Sequence, residues 1–458
     1  MADFPEQVEI KIAYIGGGST LWAKHLMSDL ALCPHLTGHV ALYDIDRAAA
    51  EHNVKVGDAL FSHRDARTKF KVSAPKTVAG ALKGADFVVL SLEPGPVQLR
   101  YADLAIPEKY GIIQTVGDTT GPGGLVRALR TIPIKAWYAH KVMEYCPEAW
   151  VINYTNPMTL STAAMYAAEP GIKAFGCCHE VFGTQRMLAR RVKKAFGASV
   201  DREDIKLDIA GLNHFTFASS ATWDGNDLFP VLREYCSRRG FFGDKTGNAL
   251  RRKKTSAVFD CDSLIAFDFF RNFGVLGAAC DRHLAEFVPW YLTTEKELHR
   301  WGVVLTPFSC RKEWARRPRP KPADILKQPL RPSGEEGVDQ MLALVGVGML
   351  DTNVNLPNEG QMSELPTGAV VETNARFRRD SLKPIVAEPL PDGVNALVAR
   401  VVNVQEMTLE AAIEKDTQWA FEALLNDPLV NISPDKAWKM FMEMLRYTKR
   451  MLPGWRVK

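Results

Sequence analysis

No stretch of about twenty apolar residues interrupts this 458-residue chain, so it offers no candidate for a membrane-spanning helix. Its first residues, Met-Ala-Asp-Phe-Pro-Glu-Gln, have neither the basic start nor the apolar core of a secretory signal. Charge of one sign is scarce: 57 Lys and Arg stand against 53 Asp and Glu, and the scattered net charge of +4 argues against a nucleic-acid partner. The 8 cysteines, with Cys177 and Cys178 adjacent, follow no disulfide-framework spacing, which predicts reduced thiols in a cytoplasmic protein. Internal repeats and low-complexity tracts are absent. The remainder has the composition of an ordinary soluble globular protein, 46% hydrophobic and 24% charged, long enough for two or three domains or one large α/β unit. One locally basic run, Arg311 to Lys321, is interleaved with prolines and reads as a solvated surface loop; its functional alternatives are an anion-facing loop or a subunit contact.

What is present begins with a nucleotide-binding pattern. Val8 to Ile15 is rich in β-formers and runs straight into Gly16-Gly17-Gly18-Ser19-Thr20, followed by a helical stretch from Trp22 to Ala31. A strand, a glycine turn and a helix N-terminus in that order bring backbone amides up to a pyrophosphate. Gly16 and Gly18 match the first two glycines of the dinucleotide fingerprint, while the third has no counterpart near Trp22. The next strand, His39 to Tyr43, ends on Asp44. An acid there accepts hydrogen bonds from an adenosine ribose and disfavours a 2′-phosphate, which points to NAD over NADP. The alternative is a helix cap, since Asp44 and Asp46 both stand where a helix begins. Further strands at Asp86–Leu92, Trp150–Asn153 and Ile172–Gly176, with helical pattern between them, predict an α/β protein with a Rossmann-type doubly wound parallel sheet.

The unusual residues fall where such strands end. These are Ser91-Leu92-Glu93-Pro94-Gly95, the glycine-rich Val116 to Gly124 ahead of a helix from about Leu125, and Asn153-Tyr154-Thr155-Asn156-Pro157. Gly176-Cys177-Cys178-His179-Glu180-Val181 follows and is answered by Gly211-Leu212-Asn213-His214. Thiolate and imidazole are ligands for divalent transition metals, so Cys178 and His214 form a ligand pair by type; buried structural cysteines are the alternative.

These blocks, together with Ala128 to Pro133, Asp281-Arg282-His283-Leu284-Ala285-Glu286-Phe287, Asn355 to Asn358 and Val370-Val371-Glu372, resemble glycoside hydrolase family four over nearly the whole chain. The resemblance implies a first domain like that of lactate and malate dehydrogenases. It also implies a glycosidase outside the two-carboxylate scheme, working by redox-assisted elimination. NAD⁺ takes a hydride from C3 of the sugar, a base removes the acidified C2 proton, the aglycone leaves C1, water adds, and the hydride returns. Mn²⁺ or another divalent ion would act as a Lewis acid on the C2 and C3 oxygens.

Carried over by position, Cys178 and His214 are the metal ligands and His179 is the general acid. Asp281 is the expected C2 base, with a scaffold role beside Arg282 or His283 as its alternative. Gly16, Gly18, Ser19, Thr20, Asp44 and Asn153 are expected to hold NAD, and Asn156, Glu180, Asn213 and Arg282 to meet the sugar. His283 and Glu286 are either ligands or structural hydrogen-bonding groups.

The Cys178-His179-Glu180-Val181 block with Gly117-Asp118-Thr119 is most similar to the α-galacturonidase branch, and His179 argues against 6-phosphoglycosides. The implied substrate is an α-linked uronic acid glycoside, galacturonide before glucuronide, with neutral α-galactosides and sulfoquinovosides open. Arg282 and Arg100 are the candidates for its C6 carboxylate. The rival classes are an NAD-dependent 2-hydroxy-acid dehydrogenase and a non-catalytic NAD-dependent regulator.

Residues 1–195 are therefore expected to form the NAD-binding domain. Residues 196–458 would form a mixed α+β domain that completes the metal and substrate site and carries the contacts of a homodimer or homotetramer. Within it, strands are predicted at Ile205–Ile209 and Phe215–Thr222, and helices at Ser263–Phe273, Glu406–Leu424 and Trp438–Leu452.

Overall fold

A computed structural model describes residues 7–255 and 257–457. Its main sheet is built on β1 (Val8–Ile15), β2 (Leu36–Tyr43), β3 (Phe70–Ser73), β4 (Phe87–Leu90), β5 (Trp150–Asn153) and β6 (Ala174–Gly176). These six strands are all parallel, in the order β3-β2-β1-β4-β5-β6, which is that of a doubly wound dinucleotide fold. Strands covered on both faces read as continuous apolar runs rather than alternating ones, and Phe87-Val88-Val89-Leu90 is buried throughout.

Alternate side chains still go to different layers. Ile12 and Tyr14 pack with Met27 and Leu30 of the helix Trp22–Leu32 and with Val56 and Leu60 of the helix Arg47–Phe61. Ala13 and Ile15 face the opposite layer, where Tyr138 and Val142 of the long helix Gly121–Tyr145 lie.

The sheet does not stop at β6. Strands β7 (Lys206–Leu212), β8 (Phe215–Trp223), β9 (Asn226–Asp227) and β10 (Leu276–Gly277) form a separate antiparallel sheet. The chain then returns through β11 (Leu350–Pro357), β12 (Val370–Arg378) and β13 (Ser381–Pro384), which extend the first sheet antiparallel from the β6 edge. Residues from both sides of position 195 thus share one sheet. A second apolar core joins Phe215 and Phe217 of β8 to Phe267 and Phe269 of the helix Leu264–Phe273 and to Val398 of the helix Asp392–Glu414.

Three expectations change. The predicted helix Glu406–Leu424 is two, Asp392–Glu414 and Thr417–Asn426. Lys415 turns left-handed at φ +57°, and the Asp416 carboxylate caps the new helix by accepting from the Gln418 and Trp419 amides. The apolar rhythm runs across this break, which is why periodicity alone missed it. The terminal helix starts earlier, at Pro434, and gives way to a short 3₁₀ turn at Lys449–Met451. The basic run does not begin as a loop, because Phe308–Ala315 is helical and carries Arg311 inward. Among the described residues no helix is long and apolar enough to cross a membrane, and all 8 cysteines are free.

Candidate active site

Parallel strands deliver their carboxyl ends to one edge, and the expected residues are found there. After β1 the chain turns at Gly16 with φ +92°, where a side chain would run into the Ser91 carbonyl. A methyl group at Gly18 would stand 2.7 Å from Ala49 Cβ and 2.8 Å from Asp44 Oδ2. The turn is tied from three sides. Asp44 Oδ2 accepts from the Gly18 amide (2.8 Å), Asn53 Nδ2 donates to the carbonyls of Gly17 and Ser19 (2.7 Å each), and Arg319 Nη1 donates to the Gly18 carbonyl. Ser19 Oγ accepts from the Trp22 amide at 3.0 Å and so caps the first helix; Thr20 is exposed beside it. The cap of the following helix is Asp46, which accepts from Ala49, so Asp44 is free of that duty.

Asn153, fully buried at the end of β5, is held rigidly: its Oδ1 accepts from Lys135 Nζ (2.8 Å) and from the Thr155 amide (3.1 Å). Burial lowers the pKa of Lys135 well below the usual lysine range, and Arg127 adds to that. Asn156 leaves its buried Oδ1 without a partner.

Asn213 and His214 are the two residues of the turn between β7 and β8, and His214 adopts a left-handed φ of +68°. This places its ring 3.8 Å, centroid to centroid, from that of His283. Ligand atoms of Asp118, His214 and His283 all lie within 4.8 Å of one another, as a metal site requires.

The protonation pattern suits a cation. Burial opposes a charge on Asp118, but Arg100 and Arg311, followed by His283 and His214, hold its carboxyl well below the ordinary range. It is therefore ionised and can only accept. The Thr119 hydroxyl has one proton, which it gives to Asp118 Oδ1 at 2.9 Å, so at 2.8 Å it accepts from His214 Nδ1–H. His214 Nε2 then carries the free lone pair. Burial, reinforced by neighbouring His283, pushes His214 down to about 3. Burial likewise brings His283 to about 4, so both rings are neutral donors at neutral pH. His283 Nδ1 is buried and has no hydrogen-bond partner.

Cys178 stands apart from this trio. Burial, with Glu372 and Glu180 nearby, raises its thiol well above the usual cysteine range. Its loop is nonetheless joined to the His214 turn through one carboxylate. Glu372 of β12 accepts from Asn213 Nδ2 (3.2 Å), Asn353 Nδ2 (2.7 Å) and Asn355 Nδ2 (3.1 Å), and Asn353 also donates to the Cys178 carbonyl at 3.3 Å. Burial raises Glu372 to about 7 in spite of those donors.

His179 Nδ1 lies 3.1 Å from Glu335 Oε1, and its ring stacks on Trp22 at 5.8 Å. Burial lowers its pKa, but the hydrogen bond and charge of Glu335, with Glu180 behind, outweigh that and raise it. Glu180 Oε2 accepts from the Cys280 amide at 2.8 Å, and its Oε1 lies 3.8 Å from His283 Nε2.

Asp281 is buried, and its Oδ1 caps the helix Leu264–Phe273 through the Ala266 amide (3.0 Å), while Oδ2 has no partner. Burial raises it to about 6. The Arg282 guanidinium donates to the Val258 carbonyl (3.1 Å) and Thr306 Oγ1 (2.9 Å), two contacts internal to the protein. Glu286 accepts from the amides of Val116 and Gly117 (2.9 Å each), and burial raises it to about 7.

The doubly wound sheet, its glycine turn and the neutral imidazoles beside an ionised Asp118 define a dinucleotide-dependent enzyme of the Rossmann class with a place for a divalent cation. Comparison with known proteins narrows this. The profile of family 4 glycosyl hydrolases matches residues 11–194, and that of the family's C-terminal domain matches residues 209–430. An α-galacturonidase of Thermoanaerobacterium saccharolyticum is 48% identical over 460 residues, covering 98% of each chain. The crystal structure of lplD from Bacillus subtilis superposes with a TM-score of 0.88 at 43% identity, covering 96% of this chain and 100% of the other. The 6-phospho-beta glucosidase of Thermotoga maritima, solved with manganese, NAD⁺ and glucose-6-phosphate, shares the fold at a TM-score of 0.74 and 23% identity, over 96% of this chain and 99% of its own. The chain belongs to family 4 of the glycosyl hydrolases.

Several participants were not singled out from the sequence. Asn53, Arg319 and Glu335 act on residues between 34 and 301 positions away, so no local pattern carries them, and the Val370-Val371-Glu372 block gave no sign that Glu372 reaches Asn213, 159 positions away. Asp118 had a signal, its place in the glycine-rich loop that leads into the helix Gly121–Tyr145, but nothing in the spacing paired it with His214.

Proposed function

We propose that this protein hydrolyses α-linked glycosides of a uronic acid, galacturonides in preference, and that it does so in the cytoplasm as a homodimer or homotetramer. The observation that carries the substrate class is full-length identity of 48% to an α-galacturonidase. When bound, NAD⁺ would supply reversible hydride acceptance at C3, and Mn²⁺ or another divalent ion would supply Lewis-acid stabilisation of the charge that develops on the sugar. Glycines 16 and 18 fit the tight turn a dinucleotide needs, because a side chain there would strike Ser91, or Ala49 and Asp44, and displace the turn. The cation fits His214, whose Nε2 lone pair is free, and the partnerless Nδ1 of His283. We assign Cys178 and His214 as its ligands, with His283 and Asp118 as the donors on the other side of His214.

Residues 1–195 hold NAD through Gly16, Gly18, Ser19, Thr20, Asp44 and Asn153. Residues 196–458 complete the substrate site and lend β11–β13 to the sheet. His179, whose pKa is raised by the hydrogen bond and charge of Glu335, gives its proton to the glycosidic oxygen. Asp281 takes the C2 proton: a carboxyl raised to about 6 by burial is a stronger base than an exposed one. Asn156 and Asn213 each keep a buried amide oxygen unpartnered for sugar hydroxyls, and Glu180, 3.8 Å from His283, and Arg282, held by Val258 and Thr306, complete the sugar-binding set.

The test is turnover of an aryl α-galacturonide in D₂O with NAD⁺ and Mn²⁺. Deuterium at C2 of the released sugar without net NADH supports the scheme. Retention of the original C2 hydrogen refutes it, and stoichiometric NADH from lactate or malate would favour the dehydrogenase rival.

A further inference from the structure

Next to Asp118 lies a group of buried charges that do not balance. Arg130 and Asp103 close on each other through two hydrogen bonds of 2.9 and 2.8 Å and form a neutral pair. The rest comprises the guanidiniums of Arg100, Arg127 and Arg311 and the carboxylates of Glu93 and Asp118, which leaves one positive charge in excess. The side chains of Arg100, Arg127 and Arg311 are only 7%, 3% and 17% exposed, whereas that of Glu93 is 47% exposed, so the group opens on one side. An unbalanced buried cation is costly unless an anion joins it.

The surplus can be located. Arg127 is consumed, since both its Nη groups bond Glu93 and its Nε bonds the Asn156 carbonyl. Arg100 has a buried Nη1 with no hydrogen-bond partner. Arg311 has a buried and unpartnered Nε, and its one hydrogen bond among the described residues runs from Nη2 to the Val116 carbonyl at 3.2 Å. Both guanidiniums stop 4.0 Å from the same oxygen, Asp118 Oδ2, and so flank the residue that meets His214 and His283. Arg282, the other arginine nearby, turns both Nη groups to Val258 and Thr306, keeps only a buried Nε unpartnered, and makes no ion pair with Asp118 among the described residues.

We propose that Arg311, assisted by Arg100, is the specificity-determining residue for the sugar carboxylate. With the ring hydroxyls on the histidine side of Asp118, a uronide presents its carboxylate to the two guanidiniums on the other side. The anion supplies the missing negative charge and accepts from Arg311 Nε and from Arg100 Nη1, which makes no hydrogen bond within the protein and lies 3.8 Å from Asp103 Oδ2. A neutral galactoside leaves both unpaired, which is the stronger form of discrimination. This assignment rests on the uronide substrate proposed above.

The test compares wild type, Arg311→Met and Arg311→Lys, each loaded with NAD⁺ and Mn²⁺, on an α-galacturonide and an α-galactoside of the same aglycone. Free D-galacturonate and D-galactose are titrated in parallel by calorimetry, and NAD⁺ affinity confirms folding. In Arg311→Met the galacturonide kcat/KM and galacturonate affinity should fall roughly 10- to 100-fold, the weight of a hydrogen bond to a charged group. The galactoside should lose far less, and Arg311→Lys should recover part of the difference. Equal losses on both sugars, or unchanged galacturonate affinity, overturn the assignment. Wild type that turns over no uronide refutes the substrate proposal instead, and the galacturonate titration then still decides Arg311.

Discussion

Replacing Glu372 by Gln tests a carboxylate that ties the Cys178 loop to the His214 turn. The carboxylate accepts from three asparagine amides, two at Oε2 (Asn213, Asn355) and one at Oε1 (Asn353). Glutamine keeps one oxygen. Placed at the Oε2 position, it turns its NH₂ against Asn353 Nδ2, 2.7 Å away in the native arrangement. Asn353 can rotate to accept, but it then gives up its bond to the Cys178 carbonyl. Either way one buried bond to a charged acceptor is lost, about 1.5–3 kcal/mol. At about 1 °C per kcal/mol for a chain of this length, the melting temperature should drop by roughly 1.5–3 °C. Because the groups that move carry Cys178 and Asn213-His214, affinity for Mn²⁺ should fall as well, by about 10- to 100-fold, as is usual when the support behind a ligand is removed. Differential scanning calorimetry and a metal titration of the purified variant measure the two effects. A variant that keeps both its melting temperature and its metal affinity refutes the role given to Glu372.

Gly18→Ala should weaken NAD⁺ binding at least about tenfold by fluorescence titration, since the added methyl meets Ala49 and Asp44 at once. Glu335→Gln removes the main group that raises His179 and leaves only Glu180 against burial, so the alkaline limb of kcat/KM, set by loss of the His179 proton, should move to lower pH. An unmoved limb would mean that another group donates the proton. Asp281 is raised from 3.8 to about 6, so its protonated form favours the native state. That contribution is complete below pH 3.8 and is lost as pH rises through 6, a swing of about 3 kcal/mol. Asp281→Asn should therefore gain stability relative to wild type between pH 4 and 7 in parallel melts, while turnover falls about 10²- to 10⁴-fold if Asp281 is the base.

Much of the fold was legible because it is written locally. The strand Val8–Ile15, the glycine turn and the helix from Trp22 succeed one another within 25 residues, and hydrophobic run, turn residue and helix cap all agree there. The same holds for the Asn213-His214 hairpin turn between two strands that pair in sequence order. Legibility failed where a local pattern was ambiguous. The apolar rhythm of 406–424 ran over a break made by Lys415 and Asp416, and the prolines after Arg316 disguised the helix that carries Arg311.

The sequence by itself determined the class of the protein: residue types at the ends of successive parallel strands, in an order that identifies the family. It also named His214 and His179, because each lies on the strand end or turn that positions it. The tertiary structure decided everything that depends on distant segments meeting. Asp118 and His283 reach His214 across 96 and 69 positions, His179 finds its charge partner in Glu335, and Asp44 is released from helix capping by Asp46. The identity of the carboxylate reader belongs here too. Arg100, Arg282 and Arg311 look alike in sequence, and only the structure shows that Arg282 turns both Nη groups to Val258 and Thr306 while Arg100 and Arg311 flank Asp118.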